Sequence, residues 1–208
     1  MLSAGAGKSP RTLVVATHNR GKLREYEELL SGLPAVFTSL TDLGVQAEPE
    51  EEHVGFAENA RLKALFFARL TGELTLADDS GLEVDALGGD PGVRSARYSG
   101  VGRTDRERYE LLLSRLSEIP PEGRTARFRC AIAAASPDGV LLTAEGTCEG
   151  LITTHPRGTH GFGYDPVFYV LERGQTMAQL EPAVKNVVSH RARAARSALP
   201  RLRAALDA

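Results

Sequence analysis

The sequence offers little that would tie the chain to a lipid bilayer, to a polyanion or to an oxidising compartment. It has no run of eighteen apolar residues, and its first residues carry no hydrophobic signal core. Neither membrane insertion nor secretion is indicated, and the cytoplasm is the expected location. An excess of one charge is also missing. With 25 Lys and Arg against 27 Asp and Glu, the formal net charge is -2. No overall field then favours nucleic acid, and any anion site must be local. Cysteine is scarce: Cys130 and Cys148 lie in strand-like segments without metal-ligand spacing, and both are expected to be reduced core thiols. His155 and His160 fall in a glycine-rich loop rather than on one helical face, so zinc is not indicated.

With 42% hydrophobic and 25% charged residues in 208, the chain is globular and long enough to bury a core unaided. Met1 to Arg11 is small, polar and glycine-containing, and is expected to be a flexible tail. Its Gly7-Lys8-Ser9 imitates the end of a phosphate-binding loop, but Leu2 stands where the first glycine belongs and no strand precedes it. Residues 12–208 are then read as a single two-lobed domain. Thr12 to Thr17 reads as a buried strand, followed by a helix over Lys22 to Leu30 and a short strand at Ala35 to Thr38. A second helix runs from Phe56 to Leu70, with Phe56, Ala60, Leu62, Phe66, Phe67 and Leu70 forming its apolar face. A strand at Leu74 to Ala77 is expected to stop on the acidic residues that follow. Beyond a glycine-rich loop, Thr104 and Glu107 form a capping-box pattern, and Pro120-Pro121 suggests a lobe boundary. Phe128 to Ala134 and Val140 to Cys148 read as a hairpin around Pro137-Asp138-Gly139, with a further strand at Pro166 to Val170. A last helix starts near Ser189 and is expected to kink or end at Pro200. Helices alternating with strands, followed by a hairpin, predict an α/β fold with a mixed central sheet covered by helices.

Three groups of residues carry chemistry. Thr17-His18-Asn19-Arg20-Gly21-Lys22 joins a strand to a helix, where free N–H groups, the helix dipole and the Lys22 ammonium favour phosphate. A plain N-cap would account for Thr17 or Asn19 taken singly. Asp78 and Asp79 present hard oxygen ligands, and with one of Glu50, Glu51 and Glu52 they suit a magnesium ion whose other positions are filled by phosphate and water. Phe162-Gly163-Tyr164-Asp165 is bracketed by glycines that let backbone approach a flat ligand. Phe162 can stack on a base and Asp165 can accept from ring N–H groups. Lys185, Ser189, His190 and Arg191 add donors nearby, while Arg193, Arg196, Arg201 and Arg203 read as a solvated basic face.

The ordered set Thr17-x-Asn19-x-x-Lys22, Phe56-Ala57-Glu58-Asn59-Ala60 with Lys63, Ala77-Asp78-Asp79-Ser80-Gly81-Leu82, Pro91-Gly92 with Ser95-Ala96-Arg97-Tyr98, Phe162-Gly163-Tyr164-Asp165-Pro166 and Ser189-His190-Arg191 closely resembles the Ham1-like inosine/xanthosine triphosphate pyrophosphatases. The resemblance spans nearly all of the chain after the tail. It departs at Ala183-Val184, where the family more usually has an acidic pair. It implies magnesium-dependent hydrolysis of noncanonical purine nucleoside triphosphates (ITP, dITP and XTP) to monophosphate and pyrophosphate. It also implies an elongated, two-lobed α/β fold with a long mixed sheet, a nucleotide cleft between the lobes, and a homodimer. By position, Thr17, Asn19, Lys22 and Lys63 would hold the triphosphate, with His18, Arg20 and Gly21 in the same loop. Asp79 would be the catalytic residue and, with Glu51 as the middle of three glutamates, a metal ligand. Ser80 would contact the nucleotide, and Phe162, Gly163, Tyr164, Asp165, Lys185, His190 and Arg191 would form the base pocket. Two other readings share some of these features: a Maf-like pyrophosphatase of different base preference, and a nucleotide- or RNA-binding module without turnover.

Overall fold

The structure, a computed structural model, describes residues 10–49 and 55–207. Seven strands form one mixed sheet in the order β2 (Ala35–Ser39), β1 (Arg11–Val15), β3 (Leu74–Val84), β4 (Thr125–Ser136), β5 (Gly139–Ile152), β6 (Phe168–Val170) and β7 (Gln175–Thr176). β1 runs parallel to β2 and β3, and the remaining pairs are antiparallel. The parallel pairs require crossover helices, which are α1 (Arg20–Leu29) between β1 and β2 and α2 (Phe56–Thr71) before β3. α3 (Asp105–Arg115), α4 (Pro182–Val188) and α5 (His190–Asp207) complete the helices.

Alternation along the long strands divides the molecule. Side chains two apart on a strand share a face, so Leu74, Leu76, Asp78, Ser80, Leu82 and Val84 form one row on β3. Leu74 and Leu76 join a core with Tyr26 of α1, Leu30 just after it, and Ala194, Ala198 and Leu202 of α5. Leu82 and Val84 join a second core with Leu112 of α3 and Val188 of α4. Asp78 and Ser80 fall between the two. Across the ladder, Ser80 lies opposite Cys130 and Cys130 opposite Gly146. A Cβ on Gly146 would come within 2.3 Å of the His190 carbonyl oxygen; only glycine lets the start of α5 cross the sheet there. The two lobes therefore meet across the middle of three shared strands, not at Pro120-Pro121, which forms only a short turn before β4.

Several local expectations change for physical reasons. α1 begins at Arg20, because the Asn19 side chain accepts from the Gly21 and Lys22 N–H groups at 2.8 and 3.2 Å. β3 does not stop at Ala77: its ladder with β4 carries Asp78, Asp79, Ser80 and Gly81 to Val84. Only the other edge stops, because β1 ends with Val15 opposite Leu76. On α2, Leu62, Phe66 and Leu70 face outward at 39%, 37% and 52% exposure. The inward positions Ala60, Ala64 and Ala68 meet Ala131, Ala133 and Ala135 of β4, and small residues on both surfaces let helix and sheet approach closely. Pro200 lies inside α5, which continues because Leu202 and Leu206 are buried beyond it. The arginines of α5 are not merely solvated: Arg196, Arg201 and Arg203 donate to the Val187, Leu141 and Gly32 carbonyls, and Arg193 donates to Val188 and pairs with Glu172. Both cysteines are free and buried. The Thr104–Glu107 capping box and the β4–β5 hairpin form as the sequence predicts.

Candidate active site

Where β1 stops, the edge of β3 is open, and adjacent residues of a strand point to opposite faces. Asp78 and Asp79 are therefore neighbours in sequence with different surroundings. Asp78 faces α1 and α5. Its carboxylate accepts from Lys22 Nζ at 3.0 and 3.1 Å, from the Ser80 hydroxyl at 3.2 Å and from the Arg191 guanidinium at 3.3 and 3.4 Å. Burial alone would raise its pKa, but Lys22 and Arg191 outweigh that and hold it well below the usual carboxylate range. Asp79 faces α2, whose residues 59 and 63 lie one turn apart. Asn59 Nδ2 donates to Asp79 Oδ2 at 3.0 Å and Lys63 Nζ to Oδ1 at 3.1 Å. Here burial prevails: the Asp79 pKa is raised, with Lys63 and Asn59 offsetting only part of the cost.

The cations of the first face form a chain. Arg191 Nη1 donates to Glu25 at 2.6 Å. Lys185 Nζ lies 2.8 Å from both Glu25 and Asp165. Burial would raise Glu25, but Arg191 and Lys185 draw it below its ordinary value. Burial would lower Lys185, but Asp165 and Glu25 raise it, so it keeps its proton. Phe162 closes the group, with Lys185 Nζ at 4.8 Å and the Arg191 guanidinium at 5.4 Å from its ring centre. Burial, then Arg191 and Lys185, push His190 far down; it is a neutral imidazole stacked on Phe128 at 4.7 Å, with a buried Nδ1 that has no hydrogen-bond partner.

Two cavities meet at Lys22. One is lined by Asn19, Ser80, Phe162, Lys185, His190 and Arg191. The other is lined by Thr17, His18, Lys63, Asp78 and Arg97. The structure thus brings together most of the residues singled out in the sequence. Arg20 stands exposed at the start of α1 and lines neither cavity. His18 is exposed, 3.4 Å from the Thr41 hydroxyl, and the Thr17 hydroxyl accepts from Asn19 N–H at 3.1 Å. A Cβ on Gly21 would sit 3.7 Å from the Phe162 ring, so the two loops touch. Gly163 donates its N–H to Asp105 at 2.7 Å, while Tyr164 is buried and donates to the Ser95 carbonyl at 2.9 Å. Asp165 Oδ2 is occupied by Lys185 and by the Phe162 N–H at 3.0 Å, so it supports the pocket instead of meeting a ring N–H through that oxygen. Gly81 tolerates no side chain: a Cβ would meet the Gly92 carbonyl at 2.3 Å. Glu51 lies outside the described residues.

Sequence reasoning missed Glu25, Asn59, Arg97, Asp105 and Arg108. Glu25 stands three residues after Lys22, on the same helical face, which was a legible signal. Asn59 and Arg97 sit inside the quoted motifs without an assigned role, and Asp105 and Arg108 look like ordinary first-turn residues of a capped helix.

A metal at Asp79 can be tested against the donors present. Among the described residues no group of three or more His, Cys, Asp or Glu is arranged to hold an ion. Magnesium, however, is commonly held by one or two carboxylates plus substrate phosphates, and Asn59 Oδ1, beside Asp79, is a buried oxygen without a donor. These oxygens fit a hard divalent cation shared with a phosphate.

Fold and site define a two-lobed α/β protein whose interlobe cleft combines an end lined by Lys22, Lys63 and Arg97 with a partly aromatic pocket. The chain belongs to the Ham1 family, whose model matches residues 13–201. It is 54% identical to a protein of Geobacter sulfurreducens named dITP/XTP pyrophosphatase, over 88% of this chain and 92% of that one. A Bacillus licheniformis protein of the same name is 47% identical over 95% and 98% of the two chains. Among solved structures, a HAM1 protein from Coxiella burnetii superposes with TM-score 0.83 at 41% identity, covering 92% of this chain and 98% of the other. The nucleoside-triphosphatase, or dITP/XTP pyrophosphatase, of Mycobacterium abscessus gives 0.73 at 42% identity, with 91% and 99% covered.

Proposed function

We propose that this protein hydrolyses the noncanonical purine nucleoside triphosphates ITP, dITP and XTP to monophosphate and pyrophosphate, and so removes them from the nucleotide pool. The observation that carries this reading is the joined cleft. Lys22, Lys63 and Arg97 line an end suited to a triphosphate, Phe162 and His190, whose buried Nδ1 has no partner, line an end suited to a base, and the raised carboxyl of Asp79 lies beside Lys63. The names of the relatives that cover almost the whole chain support the same substrates.

In the proposed reaction, Asp79 takes a proton from a water molecule as its oxygen attacks the α-phosphorus. The bond from that phosphorus to the α–β bridging oxygen breaks, and pyrophosphate leaves. A base with a raised pKa accepts the proton more readily at neutral pH. Lys63 fixes the carboxylate and, with Lys22, neutralises phosphate charge; orientation and electrostatics supply most of the rate in such reactions. Mg²⁺, held by Asp79 with Asn59 Oδ1 beside it and with Glu51 as a further candidate, would add charge neutralisation at the phosphates.

Base selection follows from donors. A neutral His190 with its proton on Nδ1 donates to the six-oxo group of hypoxanthine or xanthine, whereas the amino group of adenine leaves that donor unpaired. Pockets built on such hydrogen bonds discriminate by up to about 10⁴-fold. As the family resemblance implies, we also propose that the protein acts as a homodimer in the cytoplasm. Among the described residues no helix is long and apolar enough to cross a membrane.

The test is pyrophosphate release from ITP, XTP, GTP and ATP, each with Mg²⁺ and with chelator. Magnesium-dependent release confined largely to ITP and XTP is expected. Equal release from ATP would refute the pocket, and release from none would refute the enzyme.

A further inference from the structure

The base end of the cleft has a wall that the reading above does not use. The first turn of α3 lies against the 162–165 loop, where Asp105 accepts the Gly163 N–H at 2.7 Å. Arg108, one turn on, lines the same cavity as Phe162, Tyr164 and Lys185. Its guanidinium is held from two sides: Nη1 pairs with Asp105, and Nη2 donates to the Arg103 carbonyl at 2.6 Å. Of the N–H groups these contacts leave over, Nε–H is buried and has no partner. Neighbouring Tyr164 gives its proton to the Ser95 carbonyl, and burial raises its pKa, so it stays protonated.

A fixed cation with one buried, unspent donor at the wall of a pocket is set for an acceptor on the ligand, because an unmade hydrogen bond there is costly and a made one is charge-assisted. Hypoxanthine, xanthine and guanine all carry the six-oxo group and differ at position two. Hypoxanthine has hydrogen there, xanthine a carbonyl acceptor and guanine an amino donor.

We propose that Arg108 is a specificity-determining residue that reads position two of the purine, donating to the carbonyl of xanthine and opposing the amino group of guanine. The proposal rests on the purine-triphosphatase reading and adds to it a reason for accepting XTP while rejecting GTP. Arg108 acts on choice of base and takes no part in bond cleavage.

The test compares kcat/KM for XTP, ITP and GTP in the wild type, Arg108→Met and Arg108→Gln, with Kd for XMP and IMP measured by calorimetry. Met keeps the chain out to the Nε position without donors, and Gln restores an N–H donor group at that position. Arg108→Met is expected to lower kcat/KM for XTP at least about tenfold more than for ITP, and to narrow the GTP-to-ITP gap. The same loss should appear in XMP affinity relative to IMP, and Arg108→Gln should recover part of it. An unchanged XTP-to-ITP ratio in a folded Arg108→Met variant overturns the proposal. So does an equal fall for both substrates, which would mark Arg108 as support for the loop. The reading beneath is judged separately by the wild type: if it releases pyrophosphate from neither ITP nor XTP, that reading fails and the Arg108 proposal falls with it.

Discussion

Asp78 and Asp79 are bonded neighbours on one strand, yet the protein treats them in opposite ways. On the α1–α5 face, Asp78 is surrounded by Lys22, Arg191 and Ser80, and its pKa is driven far down. On the α2 face, Asp79 has one lysine and one amide, and burial drives it up. Environments that push paired carboxyls apart are how one site separates a permanent anion from a proton acceptor. Asp78 then serves as the anchor between lobes, tying Lys22 of α1 to Arg191 of α5. Asp79 is the group left with something to gain from a proton.

Removing each carboxylate in turn probes the contrast most strongly. Asp79→Asn should lower kcat for ITP by about 10²–10⁴-fold, the usual contribution of a positioned base. Because the folded pKa of Asp79 is raised, its contribution to stability is full at low pH and lost as pH rises through that value. At pH 7 its ionised form is a cost, so Asp79→Asn should melt at or above the wild-type temperature. Asp78→Asn should do the reverse and lose about 3–5 kcal/mol in urea unfolding, since it takes the buried countercharge from Lys22 and leaves Arg191 with Glu25 alone. If both variants were equally destabilised, the contrast would collapse. Lys63→Met sharpens it: activity should fall about 10²-fold, and the acidic limb of the pH–rate profile should move to higher pH as Asp79 loses its cation. The smallest effect concerns acid. Asp78 and Glu25 lie below their ordinary values when folded, so they stabilise the fold above the usual carboxylate range. That stability is lost as pH falls through their lowered values. Glu25→Gln should therefore flatten the acid limb of the stability curve, read by thermal melts from neutral to acidic pH.

Much of this was legible beforehand. The strand–loop–helix around Lys22, the second helix, the capping box and the hairpin each follow from local pattern, and the motif residues converge on one cleft. What was not legible depended on partners distant in sequence. The strand from Leu74 is expected to stop at Ala77 because Asp, Ser and Gly are residue types that favour turns, but a full ladder with β4 keeps Asp78 to Gly81 extended. Leu62, Phe66 and Leu70 belong to the apolar face that periodicity predicts, because size outranks alanine in such a pattern. The close fit of alanines on α2 and β4 reverses it. Glu25 escaped notice because its worth comes from Lys185 and Arg191, some 160 residues away, and Arg108 because its unspent donor is visible only once α3 lies on the 162–165 loop.

The most direct measurement is a ¹³C NMR titration of the aspartate carboxyls in the wild-type protein, with Asp78→Asn and Asp79→Asn used to assign the two resonances. The account predicts that Asp79 titrates above the ordinary aspartate range, while Asp78 stays ionised to the acid limit of the folded protein. Asp79 titrating at or below Asp78 would contradict it.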